Sequence, residues 1–133
     1  MNLKQQVVSL DIAKRLKELG VKQKSLFHWN EGDGTENELE YIPEFANKTH
    51  ELISAFTVAE LGNLLPEEIN VKNKQGNGFT DYQIQFTNGI HSVGYEAQTD
   101  YECFEVLVET IGLTEADARG KMLICLLENN LLT

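Results

Sequence analysis

Apolar residues in the stretch TEADARGKMLICLLENNLLT, residues 114–133, fall at helical intervals. Ala118, Met122, Cys125 and Leu126 recur at i, i+4, i+7 and i+8, Leu123 and Leu127 widen the stripe, and Glu115, Arg119, Lys121 and Glu128 fall largely off it. Thr114 stands where an oxygen is needed for the orphan N-terminal amides, with Glu115 and Asp117 at the positive end of the dipole. The pattern predicts a capped amphipathic helix with one buried face. An earlier helix is expected over Leu10–Leu19, with Ser9 as N-cap, Val8 and Ala13 as a hydrophobic staple, and Gly20 as a left-handed stop. Its buried face is Ile12, Ala13, Leu16 and Leu19. A third, short helix is expected over Val58–Leu65, opened by the Thr57/Glu60 capping box with Phe56 and Leu61 as staple, and closed by Pro66.

Strand periodicity is clearest around Asn88-Gly89. Treating that pair as a two-residue loop sets Phe86 opposite His91, Ile84 opposite Val93 and Tyr82 opposite Tyr95, with the intervening positions mostly polar. Residues 25–30 and 37–42 flank Asp33-Gly34 and predict another hairpin. Residues 99–112 send mixed signals. Phe104, Val106 and Val108 alternate as in a strand, but a Thr99/Glu102 capping box and a Gly112 stop favour a helix. The expected fold is α+β: a small antiparallel sheet of two hairpins with helices packed on one face, in a single domain spanning residues 1–133.

With 41% hydrophobic residues and two prolines, the chain has the composition of a folded globule. No run of about 18 apolar residues suggests a membrane span, and the N-terminal stretch lacks the apolar core of a signal peptide, so it reads as mature sequence of a cytoplasmic protein. Cys103 and Cys125 show no metal-ligand spacing and read as buried reduced thiols. Charge is uneven. Residues 1–25 hold six basic groups against Asp11 and Glu18, net +4; the total is −10, so residues 26–133 carry −14. That field repels nucleic acid except near the N-terminus.

Three blocks, SLDIAKRLKELGVKQKSLFHW (residues 9–29), SAFTVAELGNLLP (54–66) and TEADARGKMLICLLEN (114–129), resemble small uncharacterised proteins encoded by phages and prophages of gut Bacteroidetes. The resemblance leaves residues 31–53 and 71–101 uncovered. It implies a bacterial cytoplasmic or phage-derived origin and brings no functional residues with it.

Candidate chemistry is sparse. The segment Ala13–Trp29 has some character of a helix-turn-helix reader, but Ala13 and Gly20 are seven apart where the motif needs four, and position 16 is Leu. The acidic run Glu31–Glu40 fails as a calcium loop, with Glu36 at the glycine position and Ile42 at the bidentate position. His28, His50 and His91 lack metal-ligand spacing, His91 being expected to top the sheet's apolar face. There is no nucleophile elbow, and KQGNGF at 74–79 lacks a phosphate-loop ending. The reading is therefore non-enzymatic, without cofactor or metal. The leading expectation is a protein-binding module, with Phe27, Trp29 and Tyr41 as an aromatic contact rim. The alternatives are an acidic DNA mimic, from the net −14, and weak DNA binding through the basic N-terminal segment.

Overall fold

A computed structural model describes residues 2–30, 38–41, 53–72, 78–87, 90–100 and 103–132. In chain order the elements are α1 (Leu3–Gln6), α2 (Leu10–Glu18), β1 (Phe27–Asn30), β2 (Glu38–Tyr41), β3 (Ile53–Ser54), α3 (Val58–Leu64), β4 (Glu68–Lys72), β5 (Phe79–Thr87), β6 (Ser92–Asp100), β7 (Cys103–Ile111) and α4 (Glu115–Glu128). The strands form two antiparallel sheets, ordered β2-β1-β3 and β4-β5-β6-β7, with helices packed against sheet. The fold is α+β, as the periodicities predict. The two hairpins occupy different sheets.

Helices α2 and α3 form within a residue of their expected ends and α4 starts where expected, because their capping chemistry is local, but α4 stops at Glu128, short of the end of the stretch in which it was expected. Thr57 Oγ1 accepts from the Glu60 amide at 3.1 Å, and Glu60 Oε1 accepts from the Thr57 amide at 2.9 Å, completing the capping box of α3. Thr114 Oγ1 accepts from the Asp117 amide at 3.1 Å at the start of α4. Ser9 occupies the N-cap of α2, though its hydroxyl makes no capping bond. Helices α2 and α4 end in the same way. The amide of Val21 reaches back to Leu16 O and that of Leu131 to Leu126 O, with Gly20 (φ 88°) and Asn130 (φ 54°) supplying the left-handed residue.

The strands depart from expectation in two places. In the β5/β6 hairpin Phe86 faces Val93 and Ile84 faces Tyr95, a slip of two residues from the pairing expected for a two-residue loop. Side chains alternate with period two, so this slip preserves both faces: Tyr82, Val93 and Tyr95 are buried together. The second departure is larger, since residues 103–111, expected to be helical, form strand β7. Pairing with β6 along nine residues outweighs a local capping signal, and alternating aromatic and β-branched side chains suit a pleated surface. Gly112 serves there as a corner, not a helix stop. A Cβ at that position would lie 2.4 Å from the Ala118 amide nitrogen.

Helix α4 lies against β6 and β7 and is crossed by α2 and α3. Ala116, Ala118, Met122, Leu123 and Leu126 are buried on it, joining one cluster with Val8, Leu16, Trp29, Phe56, Leu61 and Tyr95. The approach of α2 is set by Gly120, where a Cβ would meet Ile12 Cγ2 at 2.7 Å and Val8 Cγ1 at 2.8 Å. Arg119, off the apolar stripe by helical phase, is nevertheless largely enclosed. Its Nη1 donates to Val58 O at 3.0 Å, its Nη2 to Glu115 Oε1 at 2.8 Å, and its guanidinium sits 4.3 Å from the Phe86 ring centre.

Replacing the fully buried Leu126 by Ala is expected to cost about 2 to 5 kcal/mol, through lost transfer energy and the cavity left behind. Glu128→Ala removes only exposed bonds to Arg15 and should leave the urea midpoint almost unmoved. Equal midpoints for the two variants would show that α4 is not docked.

Alkaline stability provides a second check. Tyr95 is buried, with its hydroxyl donating to Pro66 O at 2.6 Å, and burial pushes its pKa up from 10 to about 12. The native state therefore holds this proton at a pH where the unfolded chain has lost it. Its contribution to stability is complete below about pH 10 and declines as pH rises through 12. Tyr82 is shifted upward as well, first by burial and then by its bond to Glu105, so part of the slope persists without Tyr95. Urea midpoints of the parent and Tyr95→Phe, measured at several pH values from 9 to 12, should fall less steeply for the variant; parallel slopes would refute the assignment.

Candidate functional site

The aromatic rim expected from the sequence is divided by the fold. Trp29 is a core residue, 9% exposed, and its indole Nε1 donates to Val8 O at 2.9 Å. Its place in an exposed contact rim is thereby withdrawn, because the middle of β1 is buried at both His28 and Trp29 and the indole finds its hydrogen-bond partner inside. Phe27 is half-buried and Tyr41 is 61% exposed; they are cross-strand partners with ring centres 5.7 Å apart. The turn containing Asp33-Gly34 lies outside the described residues, as do His50 and residues 73–77. His28 is buried beside Trp29. His91 is exposed in the β5/β6 turn, since the two-residue slip removes it from the ladder and from the apolar face where it was expected.

One buried polar node deserves a chemical reading. Ser25 Oγ lies 2.9 Å from Glu60 Oε1 and 3.1 Å from Ala55 O, and it accepts from the Phe27 amide at 3.1 Å. A serine beside a carboxylate has the outline of an activated nucleophile, but Ser25 is sealed from solvent and Glu60 already caps α3. The node fastens the strand β1 entry to α3. Among the described residues no three His, Cys, Asp or Glu side chains gather as metal ligands, and Cys125 is a free, half-buried thiol.

The surface with the most unassigned chemistry is the open face of the four-stranded sheet. Val93, Tyr95 and Ala97 of β6 are buried on the α4 side, so the alternate positions Ser92, Gly94, Glu96 and Gln98 belong to the opposite face. Cross-strand partners share a face, which adds Glu68, Asp81, Gln83, Phe104, Val106, Glu109 and Ile111. A register shift between Tyr95 and Glu96 makes this set possible. Tyr95 faces Val108, but Glu96 faces Val106, so the bulge around Leu107 leaves Val108 on the covered side while Phe104 and Val106 turn outward.

Phe104, Val106 and Ile111 are 64%, 48% and 56% exposed, and all stand on β7, an edge strand whose only strand neighbour among the described residues is β6. Around them the face is acidic. Glu68 accepts from Gln83 Nε2 at 2.5 Å, Glu109 accepts from Ser92 Oγ at 2.8 Å, Asp81 accepts from Asn70, and Glu96 lies opposite Val106. These neutral partners hold the carboxylates in place without cancelling their charge. Sequence reasoning missed Phe104, Val106 and Ile111 as a surface, although their strand alternation was visible; the competing capping signal and the bulge concealed which face they would take.

The chain matches no family model, no curated protein and no solved structure. Among the described residues no helix is long and apolar enough to cross a membrane.

The burial of Trp29 has a direct optical consequence. As the only tryptophan, it should emit at short wavelength and resist iodide and acrylamide, becoming quenchable only on unfolding. Ready quenching of the native protein would place the indole on the surface instead.

Proposed function

We propose that this chain is a non-enzymatic, cytoplasmic protein-binding module, of the phage or prophage type its three sequence blocks resemble. In this reading its partner supplies a basic extended segment that lies along β7. The supporting observation is a nine-residue edge strand presenting Phe104, Val106 and Ile111 outward among carboxylates. Edge strands of this length are usually blunted by charge or covered, because their unpaired amides and carbonyls invite another strand. Main-chain hydrogen bonds would provide affinity, and alternate side chains over the apolar positions would provide specificity. Glu96 and Glu109 favour Lys or Arg on the incoming segment, and the net charge of −10 would speed its approach.

The two nucleic-acid readings draw less support. A DNA mimic needs an uninterrupted strip of carboxylates, whereas Phe104 and Val106 interleave the acids of this face. Direct DNA binding needs a dense cationic face, whereas in the N-terminal segment Arg15 is held by Glu128 at 2.9 Å and Glu18 at 3.1 Å and the remaining lysines stand against the −14 of residues 26–133.

The test uses two synthetic ten-residue peptides of alternating Val with either Lys or Glu, followed by amide hydrogen exchange. The basic peptide is expected to slow exchange in β7, to lose effect with rising salt, and to bind several-fold more weakly to Phe104→Thr and Val106→Thr, which keep strand propensity. Protection by both peptides alike, or none in β7 at millimolar peptide, would defeat the proposal.

A further inference from the structure

A second feature, sharing no residue with the β7 surface, is a cavity of about 440 Å³ between the segment following α2, helix α3 and the C-terminal end of α4. Phe56, Leu64, Leu123, Leu127 and Leu132 supply an apolar lining, in a volume range that accommodates a small molecule. A second cavity of about 510 Å³, on the side of Pro66 and Ile69, also has Asn63, Leu64 and Leu132 in its lining. A wall built largely of leucine side chains suits a flexible aliphatic chain.

Charge gives the cavity a polarity. Lys22 and Lys24 line it and are exposed, so the wall includes two residues that combine an apolar stem with a solvated ammonium group. Two lysines here stand out in a protein of net charge −10. Among the described residues neither Lys22 nor Lys24 is engaged in an ion pair, leaving both lysines available. Glu60, the acid in the lining, is held at the α3 cap by Ser25 and the Thr57 amide and keeps its charge, so the two lysines leave the wall with a surplus of one positive charge. We infer that this cavity binds a free, monomeric aliphatic carboxylate, its chain against Leu64, Leu123 and Leu127 and its head group paired with Lys22 and Lys24.

Displacement of a fluorescent fatty-acid analogue by dodecanoate, below its micellar concentration, tests the assignment. Saturable one-site binding is expected, with dodecanol weaker by roughly tenfold because it forgoes the charged pair. The double variant Lys22→Gln/Lys24→Gln should reduce dodecanoate to the level of dodecanol with an unchanged urea midpoint. Leu64→Trp, which grows a half-exposed wall residue into the cavity, should weaken both ligands. Equal affinity for acid and alcohol, binding indifferent to both variants, or capture only on anionic vesicles would each overturn the inference.

Discussion

The arrangement of the whole chain depends on how a short extended segment, Val7–Ser9, is threaded against α4. The Val8 amide donates to Phe56 O at 3.0 Å, its carbonyl accepts the Trp29 indole at 2.9 Å, and its side chain fits where Gly120 has none. Next to it, the Ser9 amide donates to Asp117 Oδ1 at 2.8 Å, and Val7 bridges Thr57. Three residues of extended backbone thus connect the small sheet, α3 and α4. Both backbone groups of Val8 and of Ser9 find partners, which is the condition for burying backbone at all. Asp117 serves two purposes, as a first-turn acid for its own helix and as an acceptor for the start of α2.

Legibility from sequence followed the range of the interactions. Helix ends were readable because Thr57 with Glu60, and Thr114 with Asp117, complete their bonds within three residues. The faces of the β5/β6 hairpin were readable because alternation survives a slip of two, while the register was not, since the connection is longer than Asn88-Gly89 alone. Strand β7 was hidden by a local capping pattern that its long-range pairing with β6 overrides. Trp29 illustrates the same limit at a single residue. Aromatics serve cores and interfaces equally well, and only the tertiary position of Val8 O decides between them.

The candidate surface was less legible than the fold for a related reason. Composition announced an acidic protein, but not that the acids of the large sheet would be interleaved with Phe104 and Val106 on one open face. That depends on one extra residue in β7, which reverses the phase of the strand halfway along its length. Without the bulge, Phe104 and Val106 would share the covered side with Val108, and the outward positions would be more uniformly polar.

The Ser9–Asp117 and Arg15–Glu128 contacts, which span 108 and 113 residues, bear on the order in which the molecule assembles. Joining such distant segments costs chain entropy before any contact compensates for it, so a topology of this kind closes late. During synthesis Val8, Trp29 and Phe56 emerge long before α4 does, and until Gly120 and Met122 arrive their apolar surface has no lid. The nascent chain must therefore remain soluble through a stretch of translation in which its first helix waits for its last, a period in which a carboxylate-rich middle helps to keep neighbouring chains apart.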